Sequence, residues 1–231
     1  MLTLRPAAER GHTQTDWLDS RHTFSFANYY DPQHMGFRSL RVINEDHVAP
    51  GTGFPTHPHR EMEIISMVLE GQLAHKDSLD RHTIIAPWAV QRTSAGKGIH
   101  HSEFNASKQE EVHFYQIWIE PAHAGMEPSY QDQAFEAPRS GQWQTIVSAD
   151  GSDGSLLIHQ DVRLLLGRTG ADEPLFWHLD EDRYGWLQVL SGQGHLDQLV
   201  LQAGDGVAIQ DEREGVIRAT DDIQVLFFDL N

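Results

Sequence analysis

The chain has 231 residues, of which 17 are basic and 34 acidic, giving a formal net charge of −17, and it contains no cysteine. That balance argues against a nucleic-acid backbone or an anionic membrane as direct partner, since both need clustered Lys and Arg, although a basic protein partner stays open. Without cysteine there is no disulfide, no thiolate metal ligand and no Cys nucleophile, so any metal must be held by His and carboxylate.

A hydrophobic content of 39% is ample for a packed interior, either in one large all-β domain or in two small ones. The opening stretch MLTLRPAAERGHTQ lacks a secretory apolar region, and no apolar run nears the ~18 residues of a membrane span, so a cytoplasmic location is expected. Residues 21–32 alternate in their first half, which predicts a strand with His22, Phe24 and Phe26 on one face and a turn at Asp31-Pro32. Ser39 to Ile43 reads as a second short strand, and residues 44–53 as a loop rich in Asp, Pro and Gly.

The loop delivers the chain to His57 and His59, one residue apart and ahead of a nearly continuous apolar run from Met62 to Leu69. In a strand, side chains at i and i+2 share a face and can share one metal ion; in a helix the same spacing sends them to nearly opposite sides. Pro55 and Pro58 enforce the extended reading. Glu70-Gly71 predicts the turn of a hairpin into residues 72–76. Strands at 83–86, 89–93 and 112–119 follow, with the turn spacing of a sandwich or barrel. Between them, His101 and Glu103 form a second period-two pair, with His100 on the opposite face. Two facing pairs give three imidazoles and one carboxylate, a transition-metal donor set. Parity does not choose the carboxylate, because Glu61, Glu63 and Glu103 are all in phase with a neighbouring histidine.

Residues 120–141 are broken by Pro121, Gly125, Pro128 and Pro138 and read as a crossover. Short strands are then expected near 143–147, 156–159, 162–166, 174–179, 186–190, 206–210, 215–219 and 224–228, so the chain divides into domains 1–130 and 131–231. Leu190-Ser191-Gly192-Gln193-Gly194 echoes Leu69-Glu70-Gly71-Gln72, a weak internal repeat. His159, His178 and His195 form no His-x-His pair, so the second barrel is expected to hold no metal. These three, with His12, His34, His47, His75, His82 and His123, are expected to be structural or exposed. Phe24, Phe26, Phe114, Tyr115 and Trp118 are expected to be barrel core.

The pattern Gly51-x5-His57-x-His59-x3-Glu63 followed by Gly98-x2-His101-x3-Asn105 resembles the two motifs of the cupin superfamily. The whole chain resembles more closely the pirin family, bicupins that include bacterial quercetin 2,3-dioxygenases. The resemblance is carried by residues 22–32, Gly36-Phe37, residues 40–44, His57-Pro58-His59, Leu69-Glu70-Gly71 and Ser94-Ala95-Gly96-x-Gly98-Ile99-x-His101-Ser102-Glu103. It implies an all-β bicupin fold, two antiparallel jelly-roll barrels in one monomeric chain, with one metal held by His57, His59, His101 and Glu103. Iron comes first among Fe, Cu, Ni, Mn and Zn. The implied activity is cleavage of a flavonol such as quercetin by O2, with Glu103 or Glu63 accepting the proton of the 3-hydroxyl. The same resemblance implies an alternative, a non-enzymatic metal-binding regulatory or redox-sensing protein that acts through a protein partner. Two departures bear on the ligand set: most metal-binding cupins take the carboxylate from the first motif, where Glu63 stands, and Glu61 occupies a position where many pirins have glycine.

Overall fold

The protein, described over residues 1–231 by a computed structural model, consists of strands and two single-turn 3₁₀ segments. In chain order the strands are β1 (Leu2–Arg5), β2 (Gly11–Gln14), β3 (Leu18–His22), β4 (Leu40–Val48), β5 (Gly53–His59), β6 (Glu63–Glu70), β7 (Leu73–Asp77), β8 (His82–Ile85), β9 (Ala89–Ser94) and β10 (Ile99–Asn105). They continue with β11 (Val112–Ile119), β12 (Ser129–Ala134), β13 (Gln142–Ser148), β14 (Leu156–Leu157), β15 (Val162–Gly170), β16 (Leu175–His178), β17 (Tyr184–Leu196), β18 (Leu199–Gln202), β19 (Gly206–Ile209) and β20 (Glu214–Leu230). Two compact units result: Gly11–Glu136 with Leu156–Gln160, and Met1–Arg10 with Ala137–Ser155 and Asp161–Asn231. No helix is long and apolar enough to cross a membrane.

In the first unit a sheet ordered β12-β9-β6-β11-β4-β3-β2 accompanies a smaller one ordered β5-β10-β7-β8. The alternation of β4 shows how the sequence makes an inside: Asn44, Asp46 and Val48 are buried, whereas Glu45 and His47 face outward and are half-buried. This strand runs to Val48, through residues that read as loop because the inward positions are polar. β6 is buried from Glu63 to Val68, as its continuous apolar pattern requires of a strand flanked on both sides, here by β9 and β11. Val48, Val68, Leu73, Ile85, Val112 and Phe114 pack together, each fully buried side chain of this kind contributing about 1.5–3 kcal/mol.

The hairpin expected at Gly71 does not form. Both edges of β6 are already paired, so the chain leaves that sheet and β7 pairs with β10 and β8 in the other. The expected strand through Phe26 is also shorter than its alternation suggested. It ends at His22, and the backbone turns back through a Phe26–Tyr29 bridge, with Ser25 Oγ accepting from Asp31 N at 2.8 Å. The crossover region contains β12, an edge strand on β9. Its mostly exposed, polar residues gave no alternation to read.

The second unit is a sheet ordered β1-β19-β17-β20-β15-β13, with β16 on β20 and β18 on β17. Leu187, Val189, Val207, Ile217, Val225 and Phe227 are among its core residues. The two segments expected to break, 191–194 and 220–223, instead continue as the long strands β17 and β20. Bulges between Val189 and Ser191 and between Gly192 and Gly194 absorb the mismatch. Gly192 has φ +83, and a Cβ there would lie 1.9 Å from the Asp222 carbonyl oxygen, so the glycines bend a ladder instead of ending it. The sequence echo at Leu190 is therefore not a structural repeat of the exit at Leu69. The units also divide differently from 1–130 and 131–231. Residues 1–10 belong with the second barrel, because β1 pairs with β19 from Leu2 against Ile209 to Arg5 against Gly206, and Leu2 and Leu4 pack on its core.

Deleting residues 1–10 should expose the β19 edge. Hydrogen exchange is expected to quicken about tenfold or more in β19 and β17, with β5 and β10 unchanged.

Candidate metal centre

The site is set by the pairing of β5 with β10, which places His57 directly opposite His101 and His59 opposite Ile99. A bulge between His101 and Glu103 brings Glu103 opposite Phe54. Close approach of the two strands depends on Gly53, where a Cβ would lie 2.3 Å from the carbonyl oxygen of Glu103. Inward parity of β10 buries His101 and Glu103 and exposes His100, as expected.

The rings of His57, His59 and His101 form a near-equilateral triangle, with centroid separations of 4.8, 4.6 and 4.6 Å. Their ligand atoms lie within 4.8 Å of one another. His57 Nδ1 lies 2.7 Å from the Pro55 carbonyl oxygen, which fixes Nδ1 as the N–H and leaves the Nε2 lone pair free. That Nε2 stands 3.0 Å from His101 Nε2. His59 Nε2 is buried with no hydrogen-bond partner. A buried polar atom left unpaired is unfavourable, and convergent lone pairs are what a cation satisfies. The 3.0 Å separation of His57 Nε2 and His101 Nε2 lets both reach one ion at the ~2.0–2.1 Å of imidazole ligation, with a ligand nitrogen of His59 within 4.8 Å of them.

Glu103 is fully buried and borders this triangle. Ser66 Oγ and Gln91 Nε2 donate to its Oε1 at 3.0 and 2.7 Å, and Gln116 Nε2 donates to its Oε2 at 2.6 Å. The orientation of Gln116 is fixed independently: the Trp118 indole N–H, which can only donate, meets Gln116 Oε1 at 3.2 Å, so the amide NH2 must face Glu103. A carboxylate offers about four lone-pair sites; three are taken, and one remains for an ion or a proton.

Glu63 does not join this group. Its Oε2 accepts from Ser94 Oγ at 2.8 Å, and its Oε1 lies 3.3 Å from His159 Nδ1. It belongs to a separate buried network with Arg92 that ties residues 156–160 to the first barrel. Glu61, at φ +49, accepts from the Gly125 N–H at 3.0 Å, and its positive φ explains why glycine suits that position. The sequence reading missed His75. Its Nε2 lies 3.0 Å from Asp77 Oδ2, both side chains are fully buried, and its ring centroid is 5.3 Å from that of His101. His75-x-Asp77 carries the same period-two signal as the ligand pairs, and could have been found by it. A further group, Glu45, His47 and His113, lies on the outward face of β4 and β11, with His47 bonded to Glu111 and His113 to Glu45.

The triangle opens into a cavity of about 380 Å³ whose lining includes Phe26, Phe54, Trp118, Asp46, His57, His59 and Glu103. That size falls in the ~300–1,000 Å³ range of small-molecule sites. Phe26 and Trp118, expected in the core, are half-buried cavity walls, whereas Phe24, Phe114 and Tyr115 are core.

Residues 4–119 match the family described as Pirin, and residues 145–230 match the quercetinase C-terminal cupin domain. The chain belongs to the pirin family. Among pirins, it is 46% identical over 230 residues to the quercetin 2,3-dioxygenase of Escherichia coli K12, covering 100% of this chain and 99% of that one. It superposes on the crystal structure of YhhW from Escherichia coli with a TM-score of 0.97 at 45% identity, covering 100% and 98% of the two chains. A second crystal structure, of the bacterial pirin YhhW in complex with nickel(II), gives a TM-score of 0.95 at 45% identity and covers 100% and 99%. The all-β, two-barrel cupin fold is thus that of this family.

Burial, together with the neighbouring His101 and His57, pushes the His59 imidazole of this pirin down to about 3. Burial also lowers His101, although Glu103 opposes it. Both rings are therefore neutral near pH 7, the state a metal ligand needs. Between about pH 6.5 and 3 the unfolded chain binds a proton that folded His59 refuses, so the stability linked to neutral His59 is present above 6.5 and lost as pH falls toward 3. Metal-free wild type is expected to lose stability relative to His59→Gln between pH 7 and 5, measured as urea midpoints in the presence of chelator.

Proposed function

We propose that this pirin is a metal-dependent dioxygenase of the quercetin 2,3-dioxygenase type, holding one divalent transition metal per chain through His57, His59, His101 and Glu103. The observation that carries the reading is the convergence of three imidazoles and a buried carboxylate at the end of a largely apolar cavity. The name of the Escherichia coli relative gives the substrate class, a flavonol, and nickel(II) in a pirin crystal structure supports a divalent ion. Iron is the first candidate in this chain, ahead of Cu, Ni, Mn and Zn, all of which suit a donor set of imidazole and carboxylate.

When bound, the metal supplies Lewis acidity that lowers the pKa of a flavonol 3-hydroxyl and an open coordination position for the reaction with O2. The remaining work falls to the protein. Phe26, Phe54 and Trp118 offer apolar walls that hold planar rings and exclude water. Ser66, Gln91 and Gln116 keep the Glu103 oxygens oriented and leave one lone pair, which would serve the ion or the 3-hydroxyl proton in turn. Glu63 has no part in this step, because its carboxylate is engaged with Ser94 and His159. The overall reaction takes up one O2 and releases one carbon monoxide from the flavonol's central ring.

After reconstitution and desalting, elemental analysis should find one tightly held equivalent per chain, none in His57→Ala/His101→Ala, and loss on acidification toward the pH of about 3 at which folded His59 takes up a proton. Aerobic incubation of Fe-, Cu-, Ni- and Mn-loaded protein with quercetin should bleach the flavonol absorbance and release carbon monoxide. Glu103→Ala should lower that rate by about 10²-fold or more. Absence of turnover with every metal would favour the non-enzymatic reading.

A further inference from the structure

The metal centre is one end of the cavity, and the other polar part of its wall comes from β2, β3 and β4. There Thr13, Ser20, His22, Asn44 and Asp46 interrupt an otherwise apolar lining. Most of these groups satisfy one another. His22 Nε2 lies 2.9 Å from Thr13 Oγ1, and His22 Nδ1 lies 2.9 Å from Asn44 Oδ1, so both ring nitrogens are engaged. Asn44 stands opposite Gln116, the residue that holds Glu103, which makes this rung part of the metal support.

Asp46 is different. Its carboxyl is hydrogen-bonded by Ser20, yet its Oδ1 has no partner although the side chain is only 2% exposed. Burial is also the first cause that raises its pKa to about 7, with the charge of Glu103 adding to it and the Ser20 bond opposing it. Asp46 shares the inward face of β4 with Asn44, two residues and so about 7 Å along the strand from the rung that carries Gln116. That spacing is of the order of one aryl ring and its substituent. An unpaired acceptor at such a distance from a chelating centre, with Phe54 and Leu18 lining the same cavity, has the form of a second point of recognition.

We propose that Asp46 is a substrate-binding residue that accepts a hydrogen bond from a hydroxyl carried by the ligand away from its metal-chelating edge. The cavity therefore selects neutral polyhydroxylated aryl ligands over bare ones. A negatively charged substituent is disfavoured beside Asp46, whose carboxyl lines the cavity there. The inference rests on the oxygenase reading of the same cavity for its substrate class, but the hydrogen bond itself needs no metal.

The test compares quercetin with 3-hydroxyflavone, which keeps the 3-hydroxy-4-keto edge and lacks every other hydroxyl. Calorimetric titration of metal-free and nickel-loaded protein should give wild type an affinity for quercetin about 10-fold or more above that for 3-hydroxyflavone. Asp46→Leu should lose about 10- to 100-fold of quercetin affinity while binding 3-hydroxyflavone as well or better. Asp46→Asn, which keeps shape and an acceptor oxygen, should retain part of the preference and serves as the folding control. A quercetin to 3-hydroxyflavone ratio unchanged within twofold in Asp46→Leu would overturn the proposal, as would failure of wild type to bind either ligand. Turnover of 3-hydroxyflavone by metal-loaded wild type tests the oxygenase reading separately. If neither flavonol is turned over but the ratio still depends on Asp46, the oxygenase reading fails and the recognition point stands.

Discussion

A carboxylate with no solvent exposure has to be compensated inside the protein, and the first barrel is arranged around that requirement at Glu103. Its three donors come from three strands: Ser66 from β6, Gln91 from β9 and Gln116 from β11. Ladder register puts them in one row, since Gln116 stands opposite Ser66 and Ser66 opposite Gln91. The row continues through Asn44 and His22, so a line of polar side chains crosses the inner face of the sheet. All three donors are neutral, which leaves the negative charge of Glu103 available to a cation. A lysine or arginine in the same place would have consumed it.

Much of this arrangement is legible in the sequence. Period two along residues 57–59, enforced by Pro55 and Pro58, and along residues 101–103 locates both halves of the imidazole triangle, and the apolar run of β6 identifies a strand flanked on both sides. The choice among Glu61, Glu63 and Glu103 was not legible, because it depends on which sheet each strand joins. β5 and β10 lie in one sheet and β6 in the other, so equal parity sends Glu63 to Ser94 and His159 while Glu103 reaches the triangle. His75 and Asp46 were missed for a related reason. One looked like an ordinary histidine, and the other fell in a stretch taken for loop because inward polar residues disguise a strand that lines a cavity.

The misplaced turns share a single cause. Glycine signals a change of backbone direction, but a change can end a strand or bend it. At Gly71 both edges of the preceding strand are occupied and the chain must depart. At Gly192 the partner strand β20 continues alongside, and the same residue type becomes a bulge in a long ladder. Local sequence carries the bend, whereas the availability of a pairing edge decides its meaning.

The strand contributed by residues 2–5 to the second barrel has a consequence for how the molecule is made. Leu2 is synthesised about two hundred residues before its partner Ile209. The first barrel contains every strand it needs by residue 136, apart from the short return at residues 156–160, and can organise itself while the N-terminal segment waits unpaired. Closure of β1 on β19 is then a late event of very long sequence separation, the class of contact that forms slowly. The nascent chain therefore carries an apolar strand without its sheet for most of translation, and that segment, with Leu2 and Leu4 uncovered, is where chaperone engagement and premature association would concentrate.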